Sequence, residues 1–463
     1  MTLPEPHQAT DFLRGLAPEL KPLEVTGPCH ADQHGKRRAA LAARIAQQGG
    51  GLVILSSGEE IVRNRDTTFP FRGDSDFLYM TGFPEPDAWW LMQVSPDGKT
   101  KNVIACRPRD IEREIWDGIR IGPEQAAERF GMDCAIEISE LDRTVIALAA
   151  NLPAIYAHLA NHHDSDQKLR QWLHALRAQA RAGVNAPDRI IDFGQSIARQ
   201  RLVKDSSEIS TMRQAANFSA AGHIRAMRFT RPGHREYEIE AELLHAFRSA
   251  GSQSVAYGSI VAAGPHSCIL HHRAGVRAIR DEELVLVDAG CELDGYASDI
   301  TRTFPANGKF TAHQRAAYDV VLAAQEAATK ATQVGESFTA PHTAAVRVLT
   351  QGLLDLGLIP KQSLEGAVDS GAYKRFYMHR TGHWLGLDVH DVGDYNTRLT
   401  PGMVLTIEPG LYIRPAEDID PGFWNTGIRI EDDALVTSGE AELLTRGVPV
   451  AADAIEALMR KPD

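Results

Sequence analysis

Apolar and polar positions follow two periods along this chain, and the order in which they occur divides it near the middle. From His34 the segment HGKRRAALAARIAQQ spaces its apolar residues for a helix, which Gly49-Gly50-Gly51 stops. LVILSS, from 52 to 57, is a short continuous apolar run that reads as a buried strand. A polar loop leads to FLYMTGF and then to AWWLMQV, which closes on a Pro-Asp-Gly turn, and KNVIACRPRD adds another strand. IEREIWDGIR and EQAAERFG alternate helix and loop. Trp89 and Trp90 are neighbours, so on a strand they face opposite ways, one toward a core and the other toward an exposed contact. These pieces make an α/β unit that ends near Ile190-Ile191-Asp192. Residues before about 30 hold several prolines and read as an irregular leader.

The pattern changes after residue 200. Asp205 and Glu208 form an Asp-x-x-Glu capping signature. Ile209, Met212, Ala216, Ala220 and Ile224 then recur on one helical face until Pro232-Gly233. REYEIEAELLHAFRSAG is a second helix, and a lone helix histidine such as its His245 is structural. VAYGSIVAAGPHSCILHH reads as a strand, a turn at Gly264-Pro265 and a strand carrying His271. Leu284 to Phe304 reads as a hairpin around Asp294-Gly295. Two more amphipathic helices follow, FTAHQRAAYDVVLAAQEAATKA and a stretch from Ala340 to Leu356. Two alternating apolar runs, GMVLTIEPGLYI and GIRIEDDALV, come last. Helices then strands, twice over, is compatible with an internal repeat around one shared site.

Composition narrows the function classes. The 463 residues are 43% hydrophobic and 24% charged, globular values for a chain long enough for two domains. A net charge of −12 argues against a nucleic-acid-binding surface. The five cysteines are widely spaced with no CxxC pair, so neither a disulfide framework nor a zinc ribbon is expected. No signal peptide and no apolar run of membrane-spanning length is evident, which makes the cytoplasm the expected compartment.

The candidate chemistry lies in three pieces of the second half. A hairpin that sets residue 292 across from 295 also sets Asp288 across from Asp299, and carboxylates that close repel unless protonated or joined by a cation. Glu408 and Glu431 each sit among apolar strand neighbours, where a carboxylate is costly unless paired or bound to metal. HRTGHWLGLDVHDVG contributes His379, His383 and His390. Two aspartates, two glutamates and an imidazole suit a pair of hard divalent ions better than a thiolate-lined site.

VDAGCELDGYASDITRTFP, HWLGLDVHDVG, GMVLTIEPGLYI and GIRIEDDALVT resemble the metallopeptidase family that includes aminopeptidase P, prolidase and methionine aminopeptidase, most closely its aminopeptidase P branch. FPFRGDSDFLYMTGFPEPDA resembles that branch's N-terminal domain. The resemblance implies an α/β N-terminal domain over 1–195, with an oligomer and access role. It implies an α+β pita-bread catalytic domain over 200–463. It further implies five ligands, Asp288, Asp299, His383, Glu408 and Glu431, around two divalent ions, most suitably Mn2+, with Asp299 and Glu431 bridging.

The reaction it implies is removal of the residue before proline by a metal-bridging hydroxide. Glu408 would shuttle the proton and His390 would support the oxyanion. His271 and His379 would line the substrate cleft. From the residues themselves, Arg429, two before Glu431 and on the same strand face, is expected to steady that carboxylate or else to contact substrate, and Tyr257 is a further candidate for the substrate wall. Expected partners are a peptide with proline second and further copies of the chain as a dimer or tetramer, with no nucleic acid and no membrane. Three positions depart from the family pattern. Arg380 stands for a usual glycine, His272 for a tyrosine and His266 for an asparagine. Two other readings share the motifs: a prolidase confined to Xaa-Pro dipeptides, for which Arg414 or Arg380 could hold the free carboxylate, and a non-catalytic peptide-binding protein of the same fold.

Overall fold

A computed structural model describes residues 31–160 and 163–460, and the leader expected before residue 30 lies outside them. The chain forms two compact units that divide between Gln200 and Arg201.

In the N-terminal unit, helix α1 (Ala31–Gln47) precedes a six-stranded mixed sheet. Its strands are β1 (Gly51–Ser56), β2 (Trp89–Val94), β3 (Thr100–Cys106), β4 (Cys134–Glu137), β5 (Ala154–Ala157) and β6 (Arg189–Asp192), in the spatial order β4-β3-β2-β1-β5-β6. Both faces are covered, which corrects the expectation for the tryptophan pair. Trp89 packs edge-on against Trp172 with ring centres 5.5 Å apart. Trp90, on the other face, is fully buried and donates from Nε1 to Asn102 Oδ1 at 3.2 Å. FLYMTGF forms the helix Ser75–Thr81, because Asp74 accepts the Phe77 N–H at 2.9 Å and Gly82 closes it at φ 67°. Helix α2 (Ile111–Asp117) buries none of its residues.

The C-terminal unit opens with helix α3 (Ser206–Phe229), whose Asp205–Glu208 capping box is formed in full, and helix α4 (Glu236–Ala250). Three strands follow in the order β7 (Ile260–Ala263), β8 (Leu284–Asp288) and β11 (Thr301–Pro305), with the short pair β9 (Cys291–Leu293) and β10 (Tyr296–Ala297) between β8 and β11 in sequence. Helices α5 (Ala312–Ala331) and α6 (Ala340–Asp355) pack on each other. The last strands are β12 (Val404–Ile407), β13 (Gly410–Ile413), β14 (Thr426–Arg429) and β15 (Asp432–Leu435), pairing β12 with β15 and β13 with β14. One hydrophobic core joins both strand groups, with Val287, Phe304, Ile407, Ile428 and Ile430 all fully buried.

The strand expected to carry His271 does not form. β7 ends at Ala263, and Gly264 at φ +54° followed by Pro265 turns the chain into a 3₁₀ segment, Gly264–Cys268. Proline has no N–H to continue the ladder. Among the described residues no helix is long and apolar enough to cross a membrane.

Candidate metal centre

The two aspartates are set by the β8–β11 ladder and the tight turn beyond it. Asp294 at φ 49° and Gly295 at φ 84° form the two central positions of a turn that needs left-handed backbone at both. Leu293 therefore pairs with Tyr296, and Asp288 pairs with Thr301 rather than with Asp299. The register is displaced by two residues from the expected one, an even number, so side chains keep their faces. Between the ladders Gly290 passes Ser298 so closely that a Cβ would lie 1.7 Å from its carbonyl oxygen. The Asp299 N–H donates to Asp433 Oδ2 at 3.1 Å. Tyr257 brings its hydroxyl to Asp288 Oδ1 at 2.6 Å and also to Asp299 Oδ1. A phenol has one proton, so it serves only one of these carboxylates at a time.

The remaining ligand candidates converge from the second strand group. The His383 N–H donates to Thr406 Oγ1 at 3.1 Å and its carbonyl accepts the Thr406 N–H at 2.9 Å, which fixes the loop to β12. His383 Nδ1 donates to the Trp384 carbonyl at 3.0 Å, which turns Nε2 toward the carboxylates. That nitrogen lies 3.5 Å from Asp299 Oδ2 and 3.8 Å from Glu408 Oε1. Ligand atoms of Asp299, His383 and Glu431 all fall within 4.8 Å of one another.

The electrostatics of this cluster call for added positive charge. Burial pushes the Glu408 carboxyl up to about 7, despite the attraction of His383 and Arg429. Burial, then the charges of Asp299, Glu408 and Asp288, raise Glu431 well above the carboxylate range. Burial also raises Asp288 against the pull of Arg429. Burial disfavours the charged form of His383, yet Asp299 and Glu408 outweigh it and hold the imidazole at about 9. The four carboxylates cannot all ionise beside one guanidinium and one imidazolium. An oxygen-rich donor set with one imidazole, whose proton an incoming cation would displace, fits divalent ions.

Around this cluster, His390 lies tilted against His383 with ring centres 4.1 Å apart, and burial and that neighbour lower its proton affinity. His379 is pushed down to about 4 by burial and Arg429. Its Nδ1 faces the Arg380 carbonyl at 2.7 Å, and Glu408 Oε2 lies 3.8 Å away. Arg429 donates from Nη1 to the Tyr412 hydroxyl at 2.9 Å, and that hydroxyl donates to His379 Nε2 at 2.9 Å. Arg429 also reaches Asp288 Oδ2 from Nη2 and Thr301 Oγ1 from Nε, so it supports Glu431 only through Thr301. The hydroxyl of Tyr257 is occupied by the two aspartates. His271 lies exposed in a turn, close enough that its charge counts against protonation of His379 and His390.

Thr301, Thr406, Tyr412 and Asp433 escaped the sequence reading. Thr301 lies two residues past Asp299 and Asp433 two past Glu431, so the strand period places each beside a ligand. Nothing comparable marks Tyr412.

Two family models cover the chain: the aminopeptidase P N-terminal domain over residues 34–156 and metallopeptidase family M24 over 210–438. The Xaa-Pro aminopeptidase of Escherichia coli is 40% identical over 92% of this chain and 96% of its own length. Among solved structures, the Pseudomonas aeruginosa aminopeptidase PepP superposes with a TM-score of 0.90 at 44% identity, covering 93% of this chain and 98% of that one. A zinc-substituted E. coli aminopeptidase P in complex with product gives a TM-score of 0.90 at 38% identity, covering 94% and 99%. These likenesses carry the architecture with them, an α/β N-terminal domain followed by an α+β pita-bread domain.

Proposed function

We propose a role for each side chain of the centre from one premise: this chain belongs to metallopeptidase family M24 and is an Xaa-Pro aminopeptidase, a hydrolase that works with divalent metal. Asp288, Asp299, His383, Glu408 and Glu431 would hold two divalent ions, with Asp299 and Glu431 shared between them, Asp288 serving one and His383 with Glu408 the other. Mn2+ is the ion that this carboxylate-rich set suits best. When bound, such a pair supplies a water acidified to a nucleophile near neutral pH and polarises the scissile carbonyl.

The chain's own groups do the rest. Glu408, whose carboxyl titrates at about 7 before any ion binds, is placed to take a proton from the attacking water and pass it to the leaving nitrogen. His390 donates to the developing oxyanion. His379 is held by Tyr412 and Arg429, and with His271 it borders the space for the substrate's proline ring. An amide nitrogen within that ring has no N–H to offer, so a wall of imidazole faces without a matching acceptor tolerates it. Arg414, one of the two cations that a prolidase reading would call on, donates from Nη2 to the Cys268 carbonyl at 2.9 Å.

Further copies of the chain are the proposed partners. On α2 and just beyond it, Ile111, Ile115, Trp116 and Ile119 are 78%, 76%, 83% and 82% exposed, an apolar set that a second copy would cover. The four free cysteines among the described residues fit a reducing compartment, and we place the enzyme in the cytoplasm.

One observation carries this reading: Asp299, His383 and Glu431 converge within 4.8 Å, with Glu408 3.8 Å from the same imidazole. The test is turnover of matched Xaa-Pro and Xaa-Pro-Yaa peptides by chelated enzyme resupplied with Mn2+, Co2+ or Zn2+. Cleavage of the tripeptides, greatest with Mn2+, is expected. Cleavage of dipeptides alone would establish the prolidase reading instead.

A further inference from the structure

Glu236, at the start of α4, has a side chain buried completely. Its Oε1 accepts the Ala263 N–H at 2.9 Å and faces His266 Nδ1 at 2.8 Å. Its Oε2 accepts the Gly275 N–H at 2.9 Å and faces His272 Nε2 at 2.8 Å. One carboxylate thus ties down both ends of the segment from Ala263 to Gly275 and two imidazoles within it. The two rings stack, with centres 4.2 Å apart and planes 30° from parallel. Arg277, the nearby cation on the same loop, is bound to Glu283 at 2.9 Å.

Securing a loop requires hydrogen-bond donors and nothing more. Histidine stands at both 266 and 272, and an imidazole can offer a nitrogen lone pair to a metal as well as a donor to a carboxylate. The three ligand atoms fall within 4.8 Å of one another. Ligands about 2.0–2.1 Å from a tetrahedral zinc ion lie about 3.3 Å apart, so the two imidazoles, each 2.8 Å from its own oxygen of the carboxylate, have to move apart from it to admit one ion. His266 remains 28% exposed, which leaves a path for an ion and its water.

We propose that Glu236, His266 and His272 form a separate metal site, selective for a nitrogen-preferring divalent ion such as Zn2+ or Ni2+ over Mn2+. Its donors are two imidazole nitrogens and one carboxylate oxygen, with water completing the shell. On binding, each imidazole would carry its ring proton on the outer nitrogen and give the lone pair of the inner one to the ion. Its occupant fixes the loop that carries His271. None of these residues belongs to the dinuclear centre, so the inference stands apart from the roles proposed there.

The test uses full-length protein, chelated, saturated with Mn2+, and then titrated with Zn2+ while Mn2+ stays in excess. Bound metal is counted after gel filtration. The parent should retain about one Zn2+ per chain beyond what an H266N/H272Y variant retains. That variant keeps the loop's donors and should melt at an unchanged temperature. A D299N/E431Q variant, disabled at the main centre, should still bind this extra zinc. Equal zinc uptake by parent and H266N/H272Y at every concentration overturns the proposal, whatever the main centre does.

Discussion

The Thr301 hydroxyl donates to Glu431 Oε2 at 2.6 Å while its oxygen accepts from Arg429 Nε at 3.1 Å. Thr301 therefore orients one of the two proposed bridging carboxylates and joins it to the guanidinium that also holds Asp288. Partners of this kind typically account for about 10–100-fold in metal affinity or activity. T301V, which keeps the shape and removes the hydroxyl, should weaken binding of divalent ions by about that range, as measured by competition with a chelator. T301S should restore most of it. Parent-like affinity in T301V would show that Glu431 is positioned by something else.

Gly290 makes a different kind of contribution, since it allows two backbones to touch. An added Cβ would lie 1.7 Å from the Ser298 carbonyl oxygen, next to the residue that carries Asp299. Backbone cannot retreat as a flexible side chain can. G290A should therefore cost more than about 3 kcal/mol, at the large end of single substitutions, and should lower metal content with it. Denaturant melts and metal analysis on one preparation would check both, and a G290A protein as stable as the parent would contradict the close approach.

The buried carboxyls tie stability to pH. Glu408 at about 7, with Asp288 and Glu431 also raised, means that the metal-free fold binds more protons than the unfolded chain once pH exceeds about 4. The stabilising protonation of Glu408 is lost as pH rises through 7, and the raised Asp288 and Glu431 act in the same direction. His383, at about 9, adds stability that is complete below about 6.5 and is lost as pH rises through 9. Both effects have the same sign. Chelated enzyme should thus melt at falling temperature from pH 5 to pH 9, and the gap between Mn2+-loaded and chelated melting points should widen over that span. A gap that narrows with pH would mean the carboxylates are not crowded as described.

How much of this was legible in the sequence depends on how far each feature reaches through space. Asp288, Glu408 and Glu431 stood out because each is a carboxylate breaking an apolar run, and such a conflict is visible locally, whereas Asp299 was reached through the hairpin and His383 through the resemblance. The paired helices and the Asp205 cap are equally local. Register was misjudged by two residues because the turn centres on Asp294-Gly295 themselves, and one backbone choice there propagates down the ladder. FLYMTGF folds as a helix through caps at its two ends, which outweigh its strand-like composition. Tyr412 was invisible because a tyrosine on an apolar strand looks like core until Arg429 and His379 are placed on either side of its hydroxyl. The Glu236 cluster spans some forty positions, and its members meet only because α4 returns beside β7.

His390 and His379 offer the sharpest separation of roles in the cleft. His390 is neutral near pH 7, lies 4.1 Å ring to ring from His383, and is not among the ligand candidates. If it donates to the oxyanion, its contribution exists only in the transition state, so H390A should lower kcat by about 10²–10³ with little change in KM and with metal content intact. His379 has its ring fixed by Tyr412 and the Arg380 carbonyl, an arrangement suited to presenting a fixed surface to bound substrate. H379A should then raise KM more than it lowers kcat, and Y412F, which frees the same ring, should shift KM in the same direction by a smaller factor. Steady-state kinetics on one Xaa-Pro-Yaa peptide decides the matter. If H390A instead loses metal, its effect on rate runs through His383, and the oxyanion role passes to another group.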